Sequence, residues 1–339
     1  MTQPLVLAID GGNSKTDLAL VRSDGEVLSF VRGPQSSPHH LGVDGCLAVL
    51  DGLLEQALAE AGLPNGRGPV ADVGKLYLAG VDFPSEEQEM EAAATQQRLA
   101  QRISVGNDTL AVLRAGTDSG WGVAIVCGAG INCVGVAPDG RQARFPALGW
   151  TTGDWGGGLD VGFAAVSAAA RSEDGRGEKT TLEQAVPRHF GLGTPTELAE
   201  AFHHRRINDR RVIELAPIVV AEADRDATAA GIVARLAEEV VTMIRVTLER
   251  LDLTDAPVEV VLGGGLMQSQ DHRLISAVAS GLHDVAPQAT VKVTTSPPVV
   301  GAALLGLDEL AAGPDAQRRA RQELATAFKA IETPGRRGR

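Results

Sequence analysis

The chain has 339 residues, 44% of them hydrophobic, which is enough to bury two cores. Its formal net charge of −12 excludes the basic surface of a protein that binds DNA or RNA, so we expect no nucleic-acid partner. Charged residues and glycines interrupt every apolar run before the ~18 residues of a membrane span, and we expect no membrane association. The three cysteines form neither a disulfide framework nor a zinc pattern, which favours a cytoplasmic protein.

The pattern at the start of each half is the same: an apolar strand, a glycine-rich turn, a second apolar strand and an Asp-Gly turn. In the first copy residues 10–16 follow the strand at 5–9, and in the second copy residues 127–132 follow the strand at 123–126. Tips without side chains can present backbone N–H groups to phosphate, which indicates an enzyme that uses a nucleotide. The alternative is a pair of plain hairpin turns.

Strands and helices alternate along the chain. We predict strands at 5–9, 17–21, 27–31, 76–81, 103–105, 123–126, 133–136, 258–262 and 291–294. We predict helices at 47–61, 85–101, 160–171, 181–190, 197–204, 227–251, 271–285 and 298–310. This order predicts an α/β chain of two similar domains, 1–115 and 116–298, with the helix at 299–311 packing back on the first. The remainder, 313–339, is expected to be a polar tail, disordered at 335–339.

Two carboxylates lie where open α/β sheets place ligand groups, just past the ends of strands. Asp108 follows the strand at 103–105 and is a candidate general base, although an aspartate there can also be a helix N-cap, and the two roles do not exclude each other. Asp10 ends the first strand and is a candidate to hold Mg²⁺ through water, because this ion uses few carboxylates and keeps several waters.

Five segments, in this order, resemble one known group of proteins: residues 10–17, 106–108, 127–133, 153–158 and 262–265. They are similar to the BadF/BadG/BcrA/BcrD ATPases of the actin-like and sugar kinase superfamily, and within it to N-acetylglucosamine kinases. The resemblance implies two actin-like (ribonuclease H-like) domains with a nucleotide cleft between them. It also implies a kinase that uses ATP and Mg²⁺ to phosphorylate a primary hydroxyl of an amino sugar, and it allows for a homodimer.

The resemblance also assigns roles to residues. Asp108 becomes the catalytic base and Asp10 the magnesium-holding residue. ATP phosphates are expected at Gly11, Gly12, Asn13, Ser14, Lys15, Thr16, Gly128, Ala129 and Gly130. Adenosine is expected at Gly263, Gly264 and Gly265, and the sugar at Ser37, Asn107, Asn132, Gly153 and Asp154. Taken alone, the triple glycine and the segment around Asp154 could each be simple turns.

The chain departs from the acetamido-sugar kinases at three places near the expected sugar. Leu148 replaces a usual Trp, Ser37 lies where Asn is common, and Trp155 replaces a usual Glu. A kinase for glucosamine or glucose therefore stays open. A second alternative is an ATPase that activates a radical dehydratase or reductase, which needs cysteines at an iron–sulfur interface. Trp150 and Trp155 could stack on a sugar or pack within the protein.

Overall fold

The chain forms two compact units, seen in a computed structural model that describes residues 3–65 and 68–332. The first unit combines two segments of the chain, the segment that ends at Trp121 and the segment that begins at Thr294. The second unit is the segment between them, Gly122–Val293. No helix in the described part of the chain is both long and apolar enough to cross a bilayer.

Within the described residues, ten strands and twelve α-helices make up the two units. The strands are β1 (Leu5–Gly11), β2 (Thr16–Arg22), β3 (Val27–Gly33), β4 (Ala71–Leu78), β5 (Ala100–Asn107), β6 (Gly122–Cys127), β7 (Ile131–Val136), β8 (Gln142–Arg144), β9 (Glu259–Gly263) and β10 (Thr290–Val293). The helices are α1 (Pro38–Ala61), α2 (Pro84–Gln96), α3 (Asp108–Gly116), α4 (Gly157–Asp174), α5 (Leu182–His189), α6 (Pro195–His203), α7 (Ala216–Glu222), α8 (Ala227–Arg250), α9 (Gly265–Gln268), α10 (His272–Val285), α11 (Pro298–Glu309) and α12 (Pro314–Glu332). Short 3₁₀ helices lie at Gly149–Thr151 and Asp209–Leu215.

The two sheets share one topology. Strand order is β3-β2-β1-β4-β5 in the first unit and β8-β7-β6-β9-β10 in the second. In each, the three strands of the initial meander pair antiparallel, and the two strands that arrive after helices pair parallel. The α/β class with two similar halves is confirmed.

Both faces of the first sheet are covered, so β1 is apolar on both sides. Odd-numbered residues such as Leu7 and Ile9 pack with α1 and α2, whereas Val6 and Ala8 pack with α3, α11 and α12. In the second unit α8 packs on β6 and β7, and α10 packs on α8. Asp226 begins α8 as an N-cap, because its carboxylate accepts from the backbone N–H of Ala229 at 2.9 Å.

The C-terminal segment differs from the prediction of a polar tail, because residues 314–332 form helix α12. Ala320 and Leu324 are fully buried, and Phe328 packs against the same core. Apolar residues spaced four apart form one narrow buried stripe on this helix, and its arginines lie on the other sides. Because charged residues outnumber these apolar residues in the sequence, the segment was predicted to be a polar tail. The residues predicted to be disordered, 335–339, lie outside the described part of the chain.

Candidate active site

The tip of the β1–β2 hairpin is a tight turn at the carboxyl end of β1. The backbone N–H of Gly12 donates to the carbonyl of Lys15 at 2.8 Å, which leaves Asn13 and Ser14 exposed at the tip. A Cβ on Gly11 would lie 2.4 Å from Leu78 and 2.5 Å from Ser36, so only glycine fits beside β4. Asn13 and Ser14 make no hydrogen bond with the described residues, so their donors are available to an anion.

The next two residues of this hairpin have protein partners. Lys15 is partly exposed, and its ammonium lies 3.1 Å from a carboxylate oxygen of Asp17. Thr16 is fully buried, and its hydroxyl lies 2.8 Å from the hydroxyl of Ser36. A direct contact between Thr16 and a phosphate would break this bond, whereas Lys15 still has N–H groups that can reach an anion.

Asp10 and Asp108 both lie at the carboxyl edge of the parallel strands. Burial raises the pKa of Asp10 to about 8, with further increases from the negative charges of Asp108 and Asp17. Lys15 and Arg32 oppose that shift. Burial also raises the pKa of Asp108 to about 6, although backbone N–H groups at the start of α3 lower it. The two carboxyl groups therefore form a repelling pair that a proton or a cation would stabilise.

The N-cap of α3 is Asn107, and Asp108 is the first residue of the helix. The alternative in which Asp108 itself caps the helix is therefore wrong by one residue. The side-chain oxygen of Asn107 accepts from the backbone N–H of Thr109 at 3.1 Å, and its amide nitrogen donates to Val81 and Asp82. Asn107 is buried, and this hydrogen bonding fixes the position of Asp108 beside it.

Ser37 lies at the N-terminus of α1, in the same unit. It is completely buried, and its hydroxyl has no hydrogen-bond partner among the described residues. Gly80 passes close by, since a Cβ there would be 2.7 Å from the Ser37 oxygen. An unpartnered hydroxyl costs free energy in a closed core, so a ligand or water partner is expected here.

The second unit repeats the hairpin at β6–β7. Ala129 and Gly130 are exposed at its tip, where the N–H of Gly128 donates to the carbonyl of Gly130 at 3.0 Å. The first turn of α4 packs on this tip, because Gly158 donates to Gly128 and Leu159 donates to Ala129 at 2.8 and 2.9 Å. The hairpin therefore lies beside a helix N-terminus, which favours an anion.

Asp154 organises the turn that precedes α4. Its carboxylate accepts from the backbone N–H of Gly149 at 2.8 Å and from the hydroxyl of Thr152. Trp150, in the same turn, is 92% exposed. Trp155 instead packs within the unit, with the guanidinium of Arg235 lying 4.0 Å from the centre of its ring.

The cysteines are inert packing residues. All three are buried, and burial raises the pKa of Cys46 and of Cys133 to about 12. Cys133 lies 3.3 Å from the hydroxyl of Thr247, and Asn132 accepts from the backbone N–H of Cys133 at 2.8 Å. None of the three offers the exposed thiolate that an iron–sulfur interface needs.

The triple glycine ends β9 next to β6. A Cβ on Gly264 would lie 2.3 Å from the carbonyl oxygen of Cys127, and the φ of Gly264 is +86°, so this residue is required by packing. Gly265 begins α9, and a Cβ there would meet no atom within 4 Å. Gly265 therefore borders the open space where a flat ring could approach the backbone.

The residues expected to act together are gathered within each unit. The first unit holds Asp10, the 11–16 hairpin, Ser37 and Asp108 at one edge of its sheet. The second unit holds the 128–130 hairpin, with α4 and the 263–265 turn each packed against it. Sequence reasoning missed the partners of Lys15, namely Asp17 and Phe328. It also missed the pairing of Asp17 with Arg32, although their alignment on adjacent strands is the kind of signal that could have found it.

Comparisons with known proteins agree with this architecture. The chain is 27% identical over 265 residues to the N-acetylmuramic acid/N-acetylglucosamine kinase of Clostridium acetobutylicum, covering 78% of this chain and 86% of the relative. It is 25% identical to the N-acetyl-D-glucosamine kinase of Dictyostelium discoideum, covering 91% of this chain and 99% of the relative.

Among solved structures, a Chromobacterium violaceum protein proposed to be an N-acetylglucosamine kinase superposes with a TM-score of 0.70. It is 25% identical, and the match covers 89% of this chain and 99% of that one. A ROK family glucokinase from Streptomyces griseus, 17% identical over 90% of this chain and 99% of its own, shares the fold with a TM-score of 0.51. The family model for the BadF/BadG/BcrA/BcrD ATPases matches residues 7–306, and the chain belongs to this family.

Proposed function

We propose that the protein is an ATP-dependent carbohydrate kinase that phosphorylates a primary hydroxyl of an N-acetylated amino sugar, with N-acetylglucosamine as the first candidate. The single observation that carries the proposal is Asp108, a partly buried carboxylate at a helix N-terminus, in a chain of this ATPase family. The names of the two curated relatives supply the sugar class.

Asp108 is the proposed general base. With a pKa of about 6, it is mostly ionised at neutral pH and still basic enough to accept the proton of an attacking hydroxyl. Asn107 holds the start of α3, so the backbone that carries Asp108 is fixed. A fixed base matters because phosphoryl transfer depends mainly on positioning and charge neutralisation.

The hairpins are the proposed phosphate sites. In the first unit the donors of Asn13 and Ser14 and the ammonium of Lys15 would hold phosphate oxygens. In the second unit the 128–130 tip beside the N-terminus of α4 would do the same. Adenosine is assigned to the turn at 263–265, where Gly265 borders open space.

Mg²⁺ fits the donor chemistry of the first unit. No group of three or more His, Cys, Asp or Glu side chains suited to a metal gathers within residues 3–65 and 68–332, so the fit rests on Asp10. Asp10 is half-buried, its carboxyl group repels those of Asp108 and Asp17, and a divalent cation would relieve this repulsion. When bound, Mg²⁺ would neutralise phosphate charge, and Asp10 would hold it through water.

The sugar is assigned to Asp154, Gly153, Asn132 and Asn107, together with Ser37. Two of these residues are already engaged in the structure: Asn107 caps α3, and Asp154 accepts two hydrogen bonds in its own turn. A carboxylate has about four acceptor positions, so Asp154 can still accept from sugar hydroxyls. The buried, unpartnered hydroxyl of Ser37 supports a polar ligand near α1.

The experiment that tests the proposal measures ATP consumption with Mg²⁺ against a panel of sugars. The panel contains N-acetylglucosamine, N-acetylmuramic acid, glucosamine, N-acetylmannosamine and glucose, with a control that lacks sugar. Turnover with an N-acetylated sugar well above the control supports the proposal, whereas equal hydrolysis with and without every sugar contradicts it. The homodimer and the cytoplasmic location stay predictions, which sedimentation and cell fractionation would test.

A further inference from the structure

Lys15 belongs to a cluster that extends beyond the hairpin. Asp10, Asp17 and Arg32 lie side by side on β1, β2 and β3, because Asp10 pairs with Asp17 and Asp17 with Arg32. Residues paired across strands share one face of the sheet. Asp17 is fully buried, and Arg32 binds it with two nitrogens at 2.6 and 2.9 Å, the bidentate geometry of strong guanidinium–carboxylate pairs.

Phe328 of α12 completes this cluster. The ammonium of Lys15 lies 4.7 Å from the centre of the Phe328 ring, and the guanidinium of Arg32 lies 4.6 Å from it. Both distances are within the range of cation–π attraction. One aromatic ring and one carboxylate therefore hold the same two cations.

Helix α12, which carries Phe328, is hydrogen-bonded both to strand β3 and to the end of helix α3. Glu323 accepts from the backbone N–H of Val27 on β3 at 2.8 Å. Arg321 donates to the carbonyls of Ala115 and Thr117 at the end of α3, both at 2.6 Å. Burial of Leu324 between these contacts keeps α12 in one register. The family match ends at residue 306, so α12 lies outside the matched region.

We infer that Phe328 and Asp17 are positioning residues for Lys15, and that α12 thereby tunes the affinity of the first hairpin for the phosphates of ATP. The inference rests on the proposed function, because it takes Lys15 as a phosphate ligand. Asp17 and the ring restrict a long, flexible side chain that would otherwise lose rotamer freedom on binding. The side chain of Lys15 is still 42% exposed, so an anion can reach its remaining N–H groups.

The test compares the full-length chain with Phe328→Leu, which keeps an apolar side chain and removes the ring, and with Phe328→Tyr, which keeps the ring. Calorimetry measures the Kd of Mg·ATP, and steady-state kinetics measures the KM of the sugar. We expect Phe328→Leu to raise the Kd about fivefold, the size of the cost of immobilising one long side chain on binding, with the sugar KM unchanged. We expect Phe328→Tyr to match the wild type.

Two controls separate positioning from general loss of stability. Leu50→Ala opens a cavity in the core on the opposite face of the sheet, away from Phe328 and Lys15, so it should lower the melting temperature and leave the Kd of Mg·ATP unchanged. In a Lys15→Met background, Phe328→Leu should cause no further loss of affinity. The inference is overturned by an unchanged Kd in Phe328→Leu, by an equal loss of affinity in Leu50→Ala, or by an undiminished effect of Phe328→Leu in the Lys15→Met background. If the wild type binds no Mg·ATP, the proposed function itself fails.

Discussion

The negative charge of Asp108 acts on Asp10 across the carboxyl edge of the first sheet, where it helps to raise the pKa of Asp10 to about 8. The pKa of Asp108 is raised less, to about 6, because backbone N–H groups at the start of α3 favour its ionised form. Two neighbouring carboxyl groups therefore differ in protonation near neutral pH. The difference separates their roles: Asp108 is the ionised base, and Asp10 is the group that gains most from a cation.

Asp108→Asn should lower kcat about a hundredfold or more, because the amide cannot accept the proton of the sugar hydroxyl. The substitution is nearly isosteric and removes a charge whose burial raises its pKa, so the melting temperature should stay the same or rise, and the KM values should change little. Steady-state kinetics and thermal unfolding measure both. Retention of near-normal kcat would contradict the role of Asp108.

The pH profile gives an independent check on the same residue. A base works only when it is ionised, so kcat/KM of the wild type should rise with pH up to about 6 and level off above it. The residual activity of Asp108→Asn should lack this rise. If both proteins show the same rise, another group causes it.

Asp10→Asn should stabilise the ligand-free protein increasingly as pH rises. The pKa of Asp10 is higher in the folded protein than in the unfolded chain, so between about pH 4 and pH 8 the folded state holds the extra proton. The contribution of Asp10 to stability is therefore present at low pH and is lost as pH rises through about 8. An asparagine at this position does not titrate, so its contribution to stability does not change with pH.

Thermal unfolding at about pH 5 and about pH 8 measures how far the melting temperature of Asp10→Asn exceeds that of the wild type. This excess should be larger at the higher pH. Adding Mg²⁺ with ADP should then raise the melting temperature of the wild type more than that of Asp10→Asn. An advantage of Asp10→Asn that is the same at both pH values would show that Asp10 is not shifted.

The sequence predicted the two hairpins and the position of Asp108 just past a strand, because these signals are local. A strand followed by glycines, or by an aspartate at its end, is visible within about ten residues. The cap of α3 was misplaced by one residue, since Asn107 and Asp108 are both good caps and only the geometry shows which side chain faces Thr109. Helix α12 was missed because its buried stripe is short and lies among arginines. The contact of Phe328 with Lys15 joins residues far apart in the chain, which no local pattern reveals.

Ser37→Ala should leave the stability of the ligand-free protein unchanged or slightly higher, because the hydroxyl that it removes is buried without a partner among the described residues. The matched control is Ser36→Ala, which removes the partner of the buried Thr16 hydroxyl and should lower the melting temperature. If Ser37 binds the sugar, Ser37→Ala also raises the sugar KM while the ATP KM stays constant. An unchanged sugar KM would remove Ser37 from the site.

Gly264→Ala and Gly265→Ala should behave differently although the residues are adjacent. A Cβ added at Gly264 would lie 2.3 Å from the carbonyl oxygen of Cys127, at a φ of +86°, so backbone must move and the melting temperature should fall strongly. Position 265 has no atom within 4 Å of a new Cβ, so the fold should be unaffected there.

The second variant therefore tests adenosine binding without a change in stability. If adenosine lies flat on this turn, the methyl group of Gly265→Ala separates the ring from the backbone and raises the ATP KM, while the sugar KM stays at the wild-type value. Calorimetry with adenosine alone, which has no phosphate to bind the hairpins, isolates the same contact. Equal adenosine affinity in Gly265→Ala and the wild type would place the nucleoside elsewhere, because the variant leaves every phosphate-binding residue unchanged.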